Sequence, residues 1–228
     1  MESVIPVPTV SLIPVMGSAA VFPVRRIYCV GRNYADHARE MGMDPEREPP
    51  FFFGKPQDVV VPGGGPVHYP PATANLHHEV ELVVALARGG RDIPVSRALD
   101  CVFGYAVGID LTRRDLQAKA KDKGQPWDTA KGFDESAPIS AITPANLLGH
   151  PGQGAIWLAV NGVEKQRGDL ADMIWSVPEV LAHISGFVAL APGDLIYTGT
   201  PAGVGPLVRG DQVRCGIQGL GELAITLV

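Results

Sequence analysis

Glycine and proline set the first limit on this chain: 27 of one and 21 of the other are scattered through its 228 residues, separating short runs rich in Val, Ile, Leu and Phe. Long helices do not survive such punctuation, because proline removes an amide donor and glycine costs extra backbone entropy to order. The pattern reads as strands joined by turns and excludes coiled coils, helix bundles and collagen. With 46% apolar residues, the length suffices for one well-buried domain. No apolar run reaches the ~18 residues of a membrane span. A count of 19 basic against 24 acidic residues leaves no surplus charge for a phosphate backbone. Neither a membrane nor a nucleic acid is expected as a partner.

The amino-terminal stretch is apolar but carries Glu2 and is cut by Pro6, Pro8, Pro14 and Pro23, so strands rather than a signal peptide are expected. Cys29, Cys101 and Cys215 are far apart, odd in number and set in apolar surroundings. That favours buried thiols and a reducing, cytoplasmic location over disulfides.

Residues 9–16 and 19–30 read as an opening hairpin about Gly17. Asn33 is placed to cap a short charged helix ended by Gly42, and 43–75 reads as an irregular excursion with brief strands. Strands are expected at 78–88 and 101–110, then a helix capped by Thr112 and reaching about Lys123, then a polar loop over 124–136. Asn161-Gly162 joins a hairpin of 155–161 and 163–168. Ser176-Val177-Pro178-Glu179 opens a helix to about Phe187, with Val180, Leu181, Ile184 and Val188 on one stripe. A strand at 194–198, a glycine-rich loop and two closing strands complete a strand-dominated α+β chain, mixed but mainly antiparallel.

The chemistry concentrates in His77-His78-Glu79-Val80-Glu81-Leu82. Strand alternation sends Glu79 and Glu81 to one face and Val80, Leu82, Val84 and Leu86 to the core. Two adjacent carboxylates repel unless something positive lies between them, which points to a divalent cation. The strand ending at Asp110 presents Gly104, Ala106 and Gly108 on Asp110's side, a file of small residues that promises empty space beside a third carboxylate. Three oxygen donors without a cysteine cluster favour Mg²⁺ or Mn²⁺ over zinc. The competing reading is a solvated sheet face whose acids only maintain solubility, and His77 and His78 stand by as further ligands.

Arg114 and Gln117, three apart, share a helix face and could hold a substrate carboxylate. Lys131, in a loop after Trp127, could meet a developing negative charge. His37 and Glu40 share one side of the short helix, where a carboxylate would orient an imidazole as a general base. Thr198-Gly199-Thr200-Pro201-Ala202-Gly203-Val204-Gly205 could wrap an anionic ligand with backbone amides. It lacks the spacing and the following helix of a dinucleotide fingerprint.

Five blocks in order, Tyr28 to His37, Phe53-Gly54-Lys55-Pro56, His77 to Leu82, Gly108 to Gln117 and Thr198 to Gly205, resemble the fumarylacetoacetate hydrolase superfamily. Within it the chain is most similar to the short acylpyruvate hydrolases, including the fumarylpyruvate hydrolases of aromatic catabolism. The resemblance implies a mixed β-sheet roll with few short helices, a homodimer, and Mg²⁺ or Mn²⁺ on the carboxylates matching Glu79, Glu81 and Asp110. It also implies a water-activating pair matching His37 and Glu40, a catalytic lysine matching Lys131, and substrate contacts matching Arg32, Arg114, Gln117 and Thr200. It covers 24–228 as a single catalytic domain, against which 1–23 is expected to pack as strands. The expected activity is cleavage of a 2,4-diketo acid to pyruvate and a carboxylic acid. Oxaloacetate decarboxylation, dienedioate isomerisation and non-catalytic keto-acid binding remain as alternatives.

Overall fold

The computed structural model describes residues 3–40 and 48–228. Its largest sheet runs in the order Phe52–Lys55, Arg26–Val30, Asp194–Tyr197, Val80–Leu86, Val102–Ile109, Ala137–Ile139, Val60–Pro62, with Thr143–Pro144 added to Val102–Ile109. It is mixed: Asp194–Tyr197 lies parallel to Arg26–Val30 but antiparallel to Val80–Leu86. A second sheet orders Val163–Asp169, Ala155–Val160, Gln212–Ile217, Gly221–Leu227 and Gly65–Val67. A small third sheet, Thr112–Arg113, Leu76–His78 and Gly205–Leu207, lies at the corner between them. This is the strand-dominated α+β roll expected, with few and short helices.

The main core lies between the two large sheets, where Val80, Leu82, Val84, Val107 and Ile109 meet Ile156, Leu158, Val213 and Ile225. Helix Val177–Phe187 closes it with Val180, Leu181 and Ile184, and its first turn carries the Ser176/Glu179 capping box. A second core covers the other face of the large sheet, where Val83, Ala85 and Tyr197 pack with Ile13, Phe22, Ile139 and Ile142. All seven residues of Val80–Leu86 are therefore buried. This excludes the solvated-face reading of the Glu-x-Glu strand.

Several expectations change. The opening hairpin pairs only Leu12–Pro14 with Val21–Pro23; the chain then breaks and Arg26–Val30 enters the large sheet. The break falls at Pro23, which cannot donate to a ladder, and Arg25 donates instead to Gly193 O. The first helix is Ala35–Glu40, and its end at Gly42 lies outside the described residues. Asn33 does not cap it: its carboxamide donates to Trp175 O and Thr198 O and accepts from Trp175 N. Thr112 does not cap helix Arg114–Asp122, because Thr112 and Arg113 pair with Leu76 and His77 as a short strand. The loop at 124–136 contains a one-turn helix, Asp128–Lys131, so Lys131 ends a helix. The Asn161-Gly162 hairpin forms as read, with both residues at positive φ. Three closing strands replace two, since Gly205–Leu207 emerges from the glycine-rich loop. The three cysteines are free and buried.

Candidate active site

The expected strand 78–88 is two strands, Leu76–His78 and Val80–Leu86, which belong to different sheets, and Glu79 is the corner between them. Asp110 follows the neighbouring strand, and its N–H donates to Glu79 O at 2.8 Å. Two register steps on, Glu81 lies opposite Gly108. Carboxylate oxygens of Glu79, Glu81 and Asp110 all come within 4.8 Å of one another, buried. The space expected beside Asp110 is filled. A Cβ on Gly108 would lie 2.5 Å from Val83 Cγ2 and 2.6 Å from Tyr197 Cε1, and one on Gly104 would strike Thr143 O. The small residues admit a second packing layer rather than a ligand.

Three cations face these carboxylates. Lys131 Nζ donates to Glu79 Oε2 (2.7 Å), Asp110 Oδ2 (2.7 Å) and Thr112 Oγ1 (2.6 Å). Burial alone would lower its ammonium, but Asp110 and Glu79 reverse this and hold it up at about 12. Arg114 pairs with Glu79 Oε1 and donates to Gln117 Oε1 at 2.6 Å. Lys55, wholly buried, donates to the carbonyls of Leu111, Lys131 and Ser136 and places Nζ 2.9 Å from Asp110 Oδ1. Burial favours the neutral form of Glu79, yet Lys131 and Arg114 outweigh it and hold its carboxyl well below the usual range. Glu81 goes the other way: burial, then Asp110 and Glu79, push it well above.

Helix Ala35–Glu40 brings His37 to the same cavity. Its Nδ1–H donates to Glu40 Oε2 at 3.0 Å, which leaves Nε2 with its lone pair free for a proton. The glycine-rich loop does wrap anions with its amides, and they are the chain's own: Gly199 N donates to Glu81 Oε2 (2.7 Å) and Gly203 N to Glu40 Oε1 (3.1 Å). Gly203 has φ +95°, and a Cβ there would lie 2.1 Å from Lys165 O, so only glycine lets this amide reach Glu40.

One cleft is lined by Arg32, His37, Glu79, Glu81, Arg114, Gln117, Lys131 and Thr200. Eight of the ten candidates thus line one cleft, with Glu40 behind His37 and Asp110 behind Lys131. The Thr200 hydroxyl is largely engaged, donating to Val80 O and accepting from Gln166 Nε2, which leaves one acceptor lone pair. The histidines expected as ligands are engaged elsewhere. His77 donates to Asn75 Oδ1 and His78 to Gln166 Oε1, and burial lowers both, His77 to about 4 with help from Arg114. Sequence reasoning missed Lys55, Lys121, Phe53 and Trp127. Lys55 stood in one of the quoted blocks without a role, and only its partners, 55 to 81 residues away, reveal one.

Charge balance alone does not demand an ion here, since three cations face three carboxylates. Their distribution leaves a place for one. Neither lysine touches Glu81, whose bond is to the Gly199 amide, and buried Asp110 Oδ1 has a charge contact but no hydrogen bond. Three clustered oxygen donors, one unbonded and one held against its own ionisation, fit a hard divalent cation.

A strand roll thus carries a carboxylate triad able to hold a metal ion beside a His–Glu pair. The fumarylacetoacetate (FAA) hydrolase C-terminal family matches residues 26–228, and the chain belongs to that family. Fumarylpyruvate hydrolase from Pseudomonas aeruginosa, solved in complex with Mn²⁺ and pyruvate, is 50% identical with a TM-score of 0.97, covering 100% of this chain and 99% of its own. The mitochondrial oxaloacetate tautomerase FAHD1 of Pongo abelii is 45% identical over 86% of this chain and 88% of its own. The mitochondrial oxaloacetate decarboxylase of Dictyostelium discoideum is 42% identical over 86% and 90%.

Proposed function

We propose that this chain hydrolyses a carbon–carbon bond of a 2,4-diketo acid, an acylpyruvate and best fumarylpyruvate, to pyruvate and a carboxylic acid such as fumarate. The observation that carries the reading is the His37–Glu40 pair facing the carboxylate triad across one cleft. Hydrolysis needs a base for water, and simple keto-acid binding does not.

Glu79, Glu81 and Asp110 would hold Mg²⁺ or Mn²⁺, which supplies Lewis acidity toward the oxygens of a keto acid. Arg114 and Gln117 bind the substrate carboxylate and orient it. Glu40 fixes the Nδ1–H tautomer of His37, and Nε2 takes a proton from water. The hydroxide equivalent adds to the distal carbonyl carbon. The bond to the methylene then breaks, its electron pair passing to the three-carbon fragment, and the proton on His37 returns to give pyruvate. Lys131 and Arg114 keep positive charge beside the developing enolate.

Oxaloacetate is the second reading, favoured by the 45% identity to a tautomerase. Proton transfer or decarboxylation there, like dienedioate isomerisation, uses the same floor of the cleft without attacking water. A pyruvate-release assay on fumarylpyruvate, acetylpyruvate and oxaloacetate, with Mn²⁺ and with chelator, separates hydrolysis from decarboxylation, and the ultraviolet absorbance of enol-oxaloacetate follows tautomerisation, which releases no pyruvate. Metal-dependent pyruvate from a diketo acid is expected, with turnover falling about 10²- to 10⁴-fold in His37→Ala. Unchanged hydrolysis in that variant removes His37 as base, and pyruvate from oxaloacetate alone replaces the hydrolase reading with the second one.

A further inference from the structure

Helix Arg114–Asp122 carries Arg114, Gln117 and Lys121 at spacings of three and four, so the three share a face, and all line the cleft. At 1.5 Å per residue, Lys121 stands about 10 Å along the axis from Arg114. Arg114 pairs with Glu79, and Lys121 lines the same cleft two turns further along the helix. That interval suits an extended dicarboxylate rather than pyruvate.

The far end has its own chemistry. Among the described residues Lys121 has no ion pair or hydrogen bond; its Nζ lies 5.3 Å from the Trp127 ring centroid. From there an aromatic row leads to a second cation: Trp127 meets Phe51 edge-on with centroids 5.3 Å apart, and Arg32 Cζ lies 5.2 Å from the Phe51 centroid. Phe53, 5.8 Å from Trp127, lines the cleft beside it. Among the described residues, the carboxylate contact of Arg32 is exposed Glu48 at 3.7 Å, a loose pair that a ligand carboxylate can replace. Partial burial and the Arg114 cation lower the Lys121 ammonium, as befits a positive charge without a counter-ion. On the floor of the cleft, by contrast, Lys55, Lys131 and Arg114 each have carboxylate partners.

We propose that Lys121 and Arg32 form a distal subsite for the second carboxylate of a dicarboxylic acylpyruvate, whose planar unsaturated arm lies along Phe53 and Trp127. This rests on the acylpyruvate reading and adds a selection rule: the acyl arm is recognised by its terminal charge and flatness, which acetylpyruvate lacks.

The test compares fumarylpyruvate with acetylpyruvate in wild type, Lys121→Met and Lys121→Arg, all loaded with Mn²⁺. The ratio of kcat/KM for the two substrates should fall about tenfold or more in Lys121→Met, mainly through KM for fumarylpyruvate, and recover in Lys121→Arg. Calorimetric titration with fumarate and with pyruvate gives a readout that needs no turnover, and Lys121→Met should weaken fumarate relative to pyruvate by a similar factor. An unchanged ratio, or fumarate binding that is absent or equal in wild type and Lys121→Met, overturns the subsite. Absence of pyruvate release from both substrates in wild type overturns the hydrolase reading instead, and the titration still decides whether a distal carboxylate is bound.

Discussion

On one side of the corner at Glu79, buried Gln166 uses its whole hydrogen-bonding capacity. Its Oε1 accepts from His78 Nδ1 and Val80 N, and its Nε2 donates to Thr200 Oγ1 and Pro201 O, all between 2.8 and 3.1 Å. On the other side lie Glu79, Glu81 and Asp110 with Lys55, Lys131 and Arg114, equally buried but built of charges, with Asp110 Oδ1 lacking a hydrogen bond. A neutral, saturated cluster rigidifies the scaffold. A charged, unsaturated one pays in stability for a capacity to bind. The corner needs both, because Gln166 ties the start of Val80–Leu86 to the loop whose amides hold Glu81 and Glu40.

Removing a member from each side tests that contrast. Lys55→Met should cost about 3 to 5 kcal/mol without metal, since it leaves Asp110 a buried charge short of one partner and frees three carbonyls. Mn²⁺ should raise the denaturation midpoint of this variant more than that of wild type, because added positive charge beside Asp110 substitutes for the lost ammonium. Gln166→Leu should cost about 3 kcal/mol by stranding the Val80 and His78 donors, and its midpoint should respond to Mn²⁺ as wild type does. Denaturant melts of both proteins with Mn²⁺ and with chelator measure this. Equal responses to the metal in the two variants would erase the distinction between the clusters.

The charged cluster was the more legible of the two, and the reason is local geometry. Alternation placed Glu79 and Glu81 together within three residues, and the i, i+3 spacing placed His37 with Glu40. Gln166 meets His78 from 88 residues away, and Lys55 meets the Ser136 carbonyl from 81, so nothing in their neighbours signals a role. Two misreadings share a cause. Thr112 was favourable as a helix cap, but its backbone is taken by pairing with His77. The glycines at 104 and 108 indicated space, but Thr143 and Tyr197 occupy it. In both cases a tertiary partner claimed a group whose local preference was sound. The Asn161-Gly162 hairpin and the capping box at Ser176 were readable because each is closed by residues adjacent in sequence.

Asp115 offers the mildest test, because it is a carboxylate one residue from Arg114 that belongs by its bonding with Gln166. It accepts from Thr73 Oγ1 (2.6 Å), Ala74 N (3.1 Å) and Leu116 N (2.9 Å). Burial would raise its carboxyl, but these hydrogen bonds prevail and hold it below its ordinary value of 3.8. The unfolded chain therefore takes up this proton first as pH drops. The contribution of Asp115 to stability is full above 3.8 and is lost as pH falls through its lower folded value. Asp115→Asn should flatten that acid limb and cost less than about 1 kcal/mol at neutral pH, with the Mn²⁺ response unchanged. Thermal melts between neutral pH and the acid limb, run in chelator and in Mn²⁺, give both readings. An acid limb that Asp115→Asn leaves intact would assign this acid sensitivity to carboxylates elsewhere in the chain. A lost Mn²⁺ response would extend the charged cluster out along the helix, and saturation of hydrogen bonds would no longer separate scaffold from site.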